Sequence, residues 1–443
     1  MPARREELTN ASQGTAMQEN REACLEPVAG NGLLHRRLFL TRGAALVGAT
    51  GLALMHARPA GADAPPDVPE WMKAPGEGMR PYGSRSRHEA RVLRQVGSAP
   101  GTTGAGASRT PLEHLEGIVT PSALHFERHH SGVPDIDPDA HRLLIHGLVD
   151  RPLVFDAAAL SRYPLVSRIQ FLECSGNSGA NNGPEPPQQS AGGLHGLVSC
   201  SEWTGVPLSV LLDEAGAAPE GRWLLAEGGD AAAMSRSVPI EKAMDDSIVA
   251  LYQNGERLRP ENGYPMRLFL PGWEGNANVK WLRRIKLTAE PVMTKDETSK
   301  YSDLMPDGKA LLFTFPMGVK SVITSPSGTM RMQGPGLYQI SGLAWSGAGR
   351  IRRVEVSADG GRSWAEAALD EPVLPKALSR FRIAWRWDGG PAVLQSRAVD
   401  ETGAVQPTRQ ALLDARGAQF RYHYHAIQSW SVGRDDEVRN VYA

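Results

Sequence analysis

The sequence predicts an α+β domain followed by an all-β sandwich of immunoglobulin type. Two observations carry this. Between about 113 and 300, alternating strand-like runs mix with short amphipathic helical stretches. After about 315, short alternating runs recur at roughly ten residues each, separated by Gly, Pro and Ser, with no helical stretch. The 47 Gly and 33 Pro call for many turns, and 443 residues exceed one ordinary core. Basic and acidic residues balance, 48 against 49, which argues against a general polyanion binder, so no nucleic-acid partner is expected.

Residues 1–62 read as an export leader. Arg36-Arg37 precedes Leu38-Phe39-Leu40, a weakly apolar run from Gly43 to Leu54, and Ala60-Gly61-Ala62. This is the pattern of a twin-arginine signal with an A-x-A cleavage site. The apolar run is too short and too rich in Gly and Ala for a membrane span. A periplasmic protein, exported folded with its cofactor already installed, is the expectation. Residues 63–112, with APGTTGAGASRTP at 99–111, are expected to form an extended arm.

In the first domain, 113–300, HRLLIHGLVDRPLVF at 141–155 alternates like paired strands around a turn, and DAAALSRYP suits a short helix ended before Pro164. VSRIQFLEC reads as a strand. WTGVPLSVLLDEAG at 203–216 reads as an amphipathic helix closed by Gly216. RWLLAEGG, SIVALYQNG and MRLFLPG read as strands. A polar stretch near 293–314 separates this domain from the sandwich at 315–432, in which Asp359-Gly360 signals a hairpin.

The chain has three cysteines. Cys24 falls in the leader, leaving Cys174 and Cys200. They could form a disulfide, be two buried thiols, or be one thiolate ligand and a bystander. Four-cysteine zinc sites and cysteine-ligated iron–sulfur clusters are excluded, and without a C-x-x-C-H no c-type haem is expected in this chain. Cys174 ends the run RIQFLEC and is followed by the sharp turn Ser175-Gly176-Asn177. By itself it could be a core residue, a nucleophile or a soft metal ligand.

Four segments, in order, decide between these readings. They are HFERHH at 125–130, LECSGN at 172–177, NGYPMRLFLPGWEGNANVKWL at 262–282, and SGLAWSGAGRIRRVEVSADGGRSW at 341–364. From about 115 to 430 the chain resembles the sulfite oxidase family of molybdenum enzymes. The resemblance implies a molybdopterin-binding catalytic domain and a sandwich that dimerises. It implies one molybdenum held by the dithiolene of a single pterin, with Cys174 as its protein ligand. Thiolate is a soft donor suited to that partner.

The resemblance also assigns roles. Phe126, Glu127, Arg128, His129 and His130 match the stretch that wraps the pterin, and Arg128 also faces substrate. His129 stands where Asn is usual. Arg267 matches an arginine on the cofactor phosphate, and Asn262 stands where His is usual. Asn278, Val279 and Lys280 match the loop closing on that phosphate. Tyr301, 21 residues after Lys280, matches the active-site tyrosine by spacing. Arg380 and Arg382 are both candidates for a sandwich arginine that reaches the site. His423 and His425 would share a strand face and could bind a metal; a terminal strand or a partner-contact surface is favoured.

One departure bears on substrate. Gly179 stands where family members that oxidise free sulfite carry a second arginine. Losing a charge-assisted hydrogen bond weakens the hold on a small dianion by about 1.5–3 kcal/mol, and the Gly/Asn/Pro loop opens the mouth. LECSGNSGANN at 172–182 and PGWEGNANVKWLRRIK at 271–286 resemble the sulfane dehydrogenase branch of the family, and that resemblance implies as substrate a sulfane sulfur carried as a cysteine persulfide on a small carrier protein. A separate c-type cytochrome subunit would take the electrons, around a homodimer core within a hetero-oligomer. The alternatives are a sulfite dehydrogenase acting on free sulfite, a reductase such as a methionine sulfoxide reductase, and a non-enzymatic carrier with Cys174 paired to Cys200.

Overall fold

The computed structural model describes residues 26–36 and 68–443. Cys24, the apolar run 43–54 and the cleavage motif 60–62 lie outside the described residues. Among the described residues no helix is long and apolar enough to cross a membrane.

The first domain is built on two sheets that share one core. In one, Trp223–Gly228 lies between Ser235–Pro239 and Leu282–Thr288, and Leu143–Gly147 runs parallel to Leu282–Thr288 with Leu153–Phe155 at the edge. In the other, Ile248–Gln253 pairs with Val198–Pro207, which pairs with Val166–Glu173. The helix Leu208–Ala215 buries Leu208, Leu211, Leu212 and Ala215, a single helical face, against both sheets. Gly216 closes it at φ +71, the left-handed cap that glycine favours. The expected helix over 203–216 is therefore shorter. Trp203 to Pro207 continue a strand, because Trp203 is drawn into the sheet core against Phe269, at 4.7 Å between rings.

Residues 63–112 are not simply an extended arm. Gln95–Ser98 and Gly106–Arg109 pair as a hairpin, and Gly106–Arg109 pairs in turn with Glu127–His129. Gly104, at φ +79, lies in the connection. The ladder to a third strand supplies the stability that an isolated hairpin lacks.

The C-terminal domain is the expected sandwich, but the expectation of no helical stretch fails: Arg409–Arg416 is a helix, capped by Thr408, that buries Leu412. Gly336–Trp345 lies between Lys320–Ser325 and Ser379–Trp387 in one sheet. The facing sheet orders Ala365–Glu366, Ile351–Ser357, Ala392–Asp400, Ser429–Val432 and Val438–Val441. Ile351, Val354, Val356, Phe381, Trp385 and Trp430 fill the space between. Asp359 anchors the hairpin loop by accepting from the Ser357 and Ser363 hydroxyls.

Residues 26–36, within the stretch read as leader, pack on this sandwich. Leu33 pairs with Trp385 and enters the sandwich core, Trp385 Nε1 donates to Asn31 O at 2.6 Å, and Arg36 pairs with Glu366. A Cβ on Gly32 would stand 2.1 Å from Arg386 O, so only glycine fits that approach.

Two further expectations are corrected. Residues 421–428 form no strand; the strand Ser429–Val432 begins after them, and His423 takes φ +59. Neither Arg380 nor Arg382 reaches the cavities at Cys174. Arg380 donates to the carbonyls of Leu115 and Gly117, and Arg382 pairs with Glu116 and Asp370. Both lie on Ser379–Trp387, whose register points them to the 115–117 loop.

Candidate active site

The strand Val166–Glu173 is buried through its last four residues, which brings its end to the junction of the two domains. Cys174 follows. Its N–H donates to Leu197 O at 2.9 Å, and its carbonyl accepts from Asn177 N at 2.9 Å, closing the turn. The turn is held from beneath by Glu173, which accepts from Asn177 Nδ2 at 2.9 Å, from Lys320 Nζ at 3.0 Å and from Trp345 Nε1 at 2.7 Å. Lys320 and Trp345 belong to the sandwich, so the second domain sets the floor of the site. Cys174 and Cys200 are both free. Cys200 lies opposite Phe171 inside the sheet, which removes the disulfide reading, and burial pushes its thiol up to about 12.

One cavity gathers every residue named from the sequence: Phe126 to His130, Cys174, Asn262, Arg267, Asn278, Val279, Lys280 and Tyr301. At its inner end Lys280 Nζ donates to the carbonyls of Arg128 and Glu261 and lies 2.8 Å from His129 Nδ1. His129 Nε2 lies 2.8 Å from Glu127, which also pairs with Arg94. Burial pushes the His129 imidazole below its ordinary value. The neutral ring then donates from Nε2 to Glu127 and accepts at Nδ1, a tautomer assigned from its partners. His129 thus does the work of an acceptor for Lys280 where the family usually has Asn.

Arg267 donates to the carbonyls of Asn262 and Asn278, both at 2.9 Å, and its Nε finds no partner among the described residues. Burial lowers Arg267 to about 9 and Lys280 well below its ordinary value. Among the described residues neither cation has a carboxylate partner within salt-bridge distance. Arg267 is buried and Lys280 partly so, and neither is ion-paired although Glu127, Asp230 and Glu261 also line the cavity; two such cations side by side suit an anion such as a phosphate. The residues present therefore fit a phosphate-bearing pterin whose metal end lies at Cys174, the one thiol in the cavity. The Asn278 side chain is occupied otherwise: it accepts from Leu270 N and donates to the carbonyls of Trp273 and Glu274, fixing the loop.

At the Cys174 end, the Tyr301 hydroxyl lies 3.1 Å from His130 Nε2. Burial, aided by Arg128, holds His130 down at about 4, and burial lifts the Tyr301 phenol well above its ordinary value. The hydroxyl is therefore the donor and the neutral imidazole the acceptor. Arg128 donates to Gly106 O at 3.3 Å and to His129 O.

Sequence reading missed a buried charge cluster behind Tyr301. The Arg236 guanidinium sits 4.8 Å from the Tyr301 ring centroid and pairs with Glu297 at 2.8 Å and Glu274 at 3.2 Å. Asn276 Nδ2 donates to both Glu274 and Ser175 Oγ. His423 Nε2 lies 3.2 Å from Glu274, and its N–H donates to Ser175 O at 2.7 Å. Burial alone would raise the Glu274 carboxyl, but the His423 hydrogen bond and Arg236 hold it at about 2. Glu274 and Asn276 stand in the quoted WEGNAN, where a carboxylate inside a Gly-rich turn between apolar runs was a usable signal. His423 stood out in the sequence only as half of a His423/His425 pair, and Arg236 gave no signal. Among the described residues no group of three or more His, Cys, Asp or Glu side chains could hold a metal ion, so His423 and His425 form no such site.

Fold and site define a molybdopterin-binding oxidoreductase. Residues 130–295 match the oxidoreductase molybdopterin binding domain, and residues 313–429 match the Mo-co oxidoreductase dimerisation domain. The chain is 31% identical to sulfite oxidase of Gallus gallus over 327 residues, 67% of this chain and 70% of that protein. It is 31% identical to an NADH nitrate reductase of Solanum lycopersicum over 347 residues, 68% of this chain but only 38% of that longer protein. It is 48% identical to the solved sulfane dehydrogenase SoxCD from Paracoccus pantotrophus, with a TM-score of 0.82, covering 85% of this chain and 97% of that one. The chain belongs to the sulfite oxidase family of molybdenum enzymes.

Proposed function

We propose that this chain oxidises sulfane sulfur, carried as a cysteine persulfide on a small carrier protein, to the S-sulfonate, and passes the electrons to a c-type cytochrome subunit. The single observation that carries the reading is the 48% identity to a sulfane dehydrogenase across 97% of the solved chain. The glycine at 179, where a second sulfite-binding arginine is usual, supports it. Persulfide to S-sulfonate adds three oxygens from three waters and releases six protons and six electrons, so one tethered sulfur must be oxidised in successive two-electron steps.

The molybdenum cofactor supplies the oxygen-atom transfer and redox change when bound. The chain's own residues do the rest. Lys280 and Arg267 hold the phosphate end, and Cys174 offers the thiolate. Arg128 faces the oxyanion that grows on the sulfur, where a planar, permanently charged fork suits it. Tyr301, kept protonated by burial, has one hydroxyl proton, held by His130 Nε2 in this structure; turned from His130 toward the sulfur, it would give the growing oxyanion a donor. The twin-arginine pattern supports a periplasmic location, and the dimerisation domain supports a homodimer core.

The test is to purify the protein, quantify molybdenum, and assay it with persulfidated carrier and cytochrome c. Carrier-dependent cytochrome reduction is expected, lost in Cys174→Ser together with the metal. Molybdenum-free folded protein, or full activity in Cys174→Ser, would sink the reading. The 31% identity to sulfite oxidase favours a second one, oxidation of free sulfite; comparing the two substrates at low concentration separates them.

A further inference from the structure

A second cavity meets the first at Arg128, His130, Cys174 and Tyr301, and none of the phosphate-cradle residues Arg267, Asn278 and Lys280 lines it. Its walls come from the 95–109 hairpin, the Ser175-Gly176 turn and Tyr422. They are slender. An added Cβ at Gly97 would meet nothing within 4 Å, and one at Gly176 would sit 3.9 Å from Cys174 Sγ. Three cations line this cavity, Arg109, Lys300 and Arg128, and no carboxylate does. Arg109 is half-buried and Lys300 is exposed, and neither is ion-paired among the described residues. The two stand at a wall and a rim rather than converging on the sulfur.

We propose that Arg109 and Lys300 are specificity-determining residues that bind carboxylates on an extended segment of the carrier protein as it presents its sulfur to the site. The inference rests on the carrier-bound substrate proposed above. A cavity lined largely by Gly, Ala and Ser leaves room for an extended chain beside Cys174. Unpaired cations with no acid beside them attract an anionic segment along its length. Held this way, the carrier needs no second arginine at the sulfur itself, so its charge is read at the mouth and the glycine at 179 costs it little. A free sulfur oxyanion carries all its charge at the reacting sulfur and has no second anionic group for Arg109 or Lys300 to bind.

The experiment uses the molybdenum-loaded enzyme with Arg109→Gln, Lys300→Gln and the double variant. KM and kcat are measured for persulfidated carrier across a salt series, and for free sulfite with ferricyanide, with molybdenum per chain as the folding control. The expected result is a rise in carrier KM of about threefold for each change and about tenfold for both, with a flattened salt dependence. Sulfite KM stays within about twofold on the same scale. An unchanged carrier KM in the double variant overturns the proposal, as does a sulfite KM that rises in parallel. A wild-type enzyme that turns over sulfite but never the carrier overturns the parent reading and this one with it. Normal carrier turnover with insensitive variants overturns this one alone.

Discussion

The Tyr301 hydroxyl and His130 Nε2, from residues 171 apart in the chain, meet at 3.1 Å beside Cys174. With the imidazole neutral and the phenol protonated, this is a donor–acceptor pair whose state does not change across ordinary working pH. Tyr301→Phe is expected to lower kcat by about 100-fold, the low end of what a positioned proton donor contributes. Molybdenum content should stay at the wild-type level, and steady-state kinetics with metal analysis checks both. Loss of the metal together with activity would instead give Tyr301 a structural role.

Lys280 and Arg267 make an opposite pair of expectations. Cofactor retention in Lys280→Met should drop about tenfold or more, the worth of one charge-assisted hydrogen bond. Yet the cofactor-free variant should melt close to cofactor-free wild type, because losing the three Lys280 hydrogen bonds is offset by no longer holding an ammonium without a counter-ion partly out of water. Metal quantification and thermal unfolding of the cofactor-free proteins test the two halves separately.

Glu274 predicts acid behaviour. Its folded value of about 2 lies below the ordinary 4.5, so its stabilising contribution is present above 4.5 and is lost as pH falls toward 2. Glu274→Gln should lower stability at neutral pH and flatten the fall between those limits. Denaturant unfolding at a series of pH values reads it, and an unchanged slope there contradicts the assignment.

The 26–36 segment predicts a stability effect from a residue far outside the catalytic domain. Leu33 is fully buried in the sandwich core. In the full-length chain Leu33→Ala is expected to cost about 2–4 kcal/mol. A Tm indistinguishable from wild type would show that the segment does not contribute to the sandwich.

Several parts of the site were legible because they are local. HFERHH is three strand residues with their flanks, LECSGN is a strand end and its turn, and VKWL closes a loop on the strand it precedes. Tyr301 was legible from spacing. His423 and Arg236 were not. Arg236 is one polar residue in a stretch with no motif, and His423 stood out only beside His425; the role of each comes from Glu274, which lies far away in sequence from His423. The helix expected over 203–216 erred at its start for a similar reason. Nothing local distinguishes Trp203 as a strand residue until Phe269 is packed against it.

The family, the two-domain order, the thiol at Cys174 and the Arg267 and Lys280 cations that share its cavity were all readable from the sequence alone. All of these sit in short contiguous motifs whose chemistry depends on residue type and near neighbours. Tertiary structure decided what supports and surrounds them. It brought Lys320 and Trp345 of the sandwich to Glu173, folded the 95–109 segment into the wall of the mouth, and set Arg236 behind Tyr301. The reason is physical. A buried charge is tolerable only where partners from distant parts of the chain converge on it, and that convergence is a property of packing, not of any stretch of sequence.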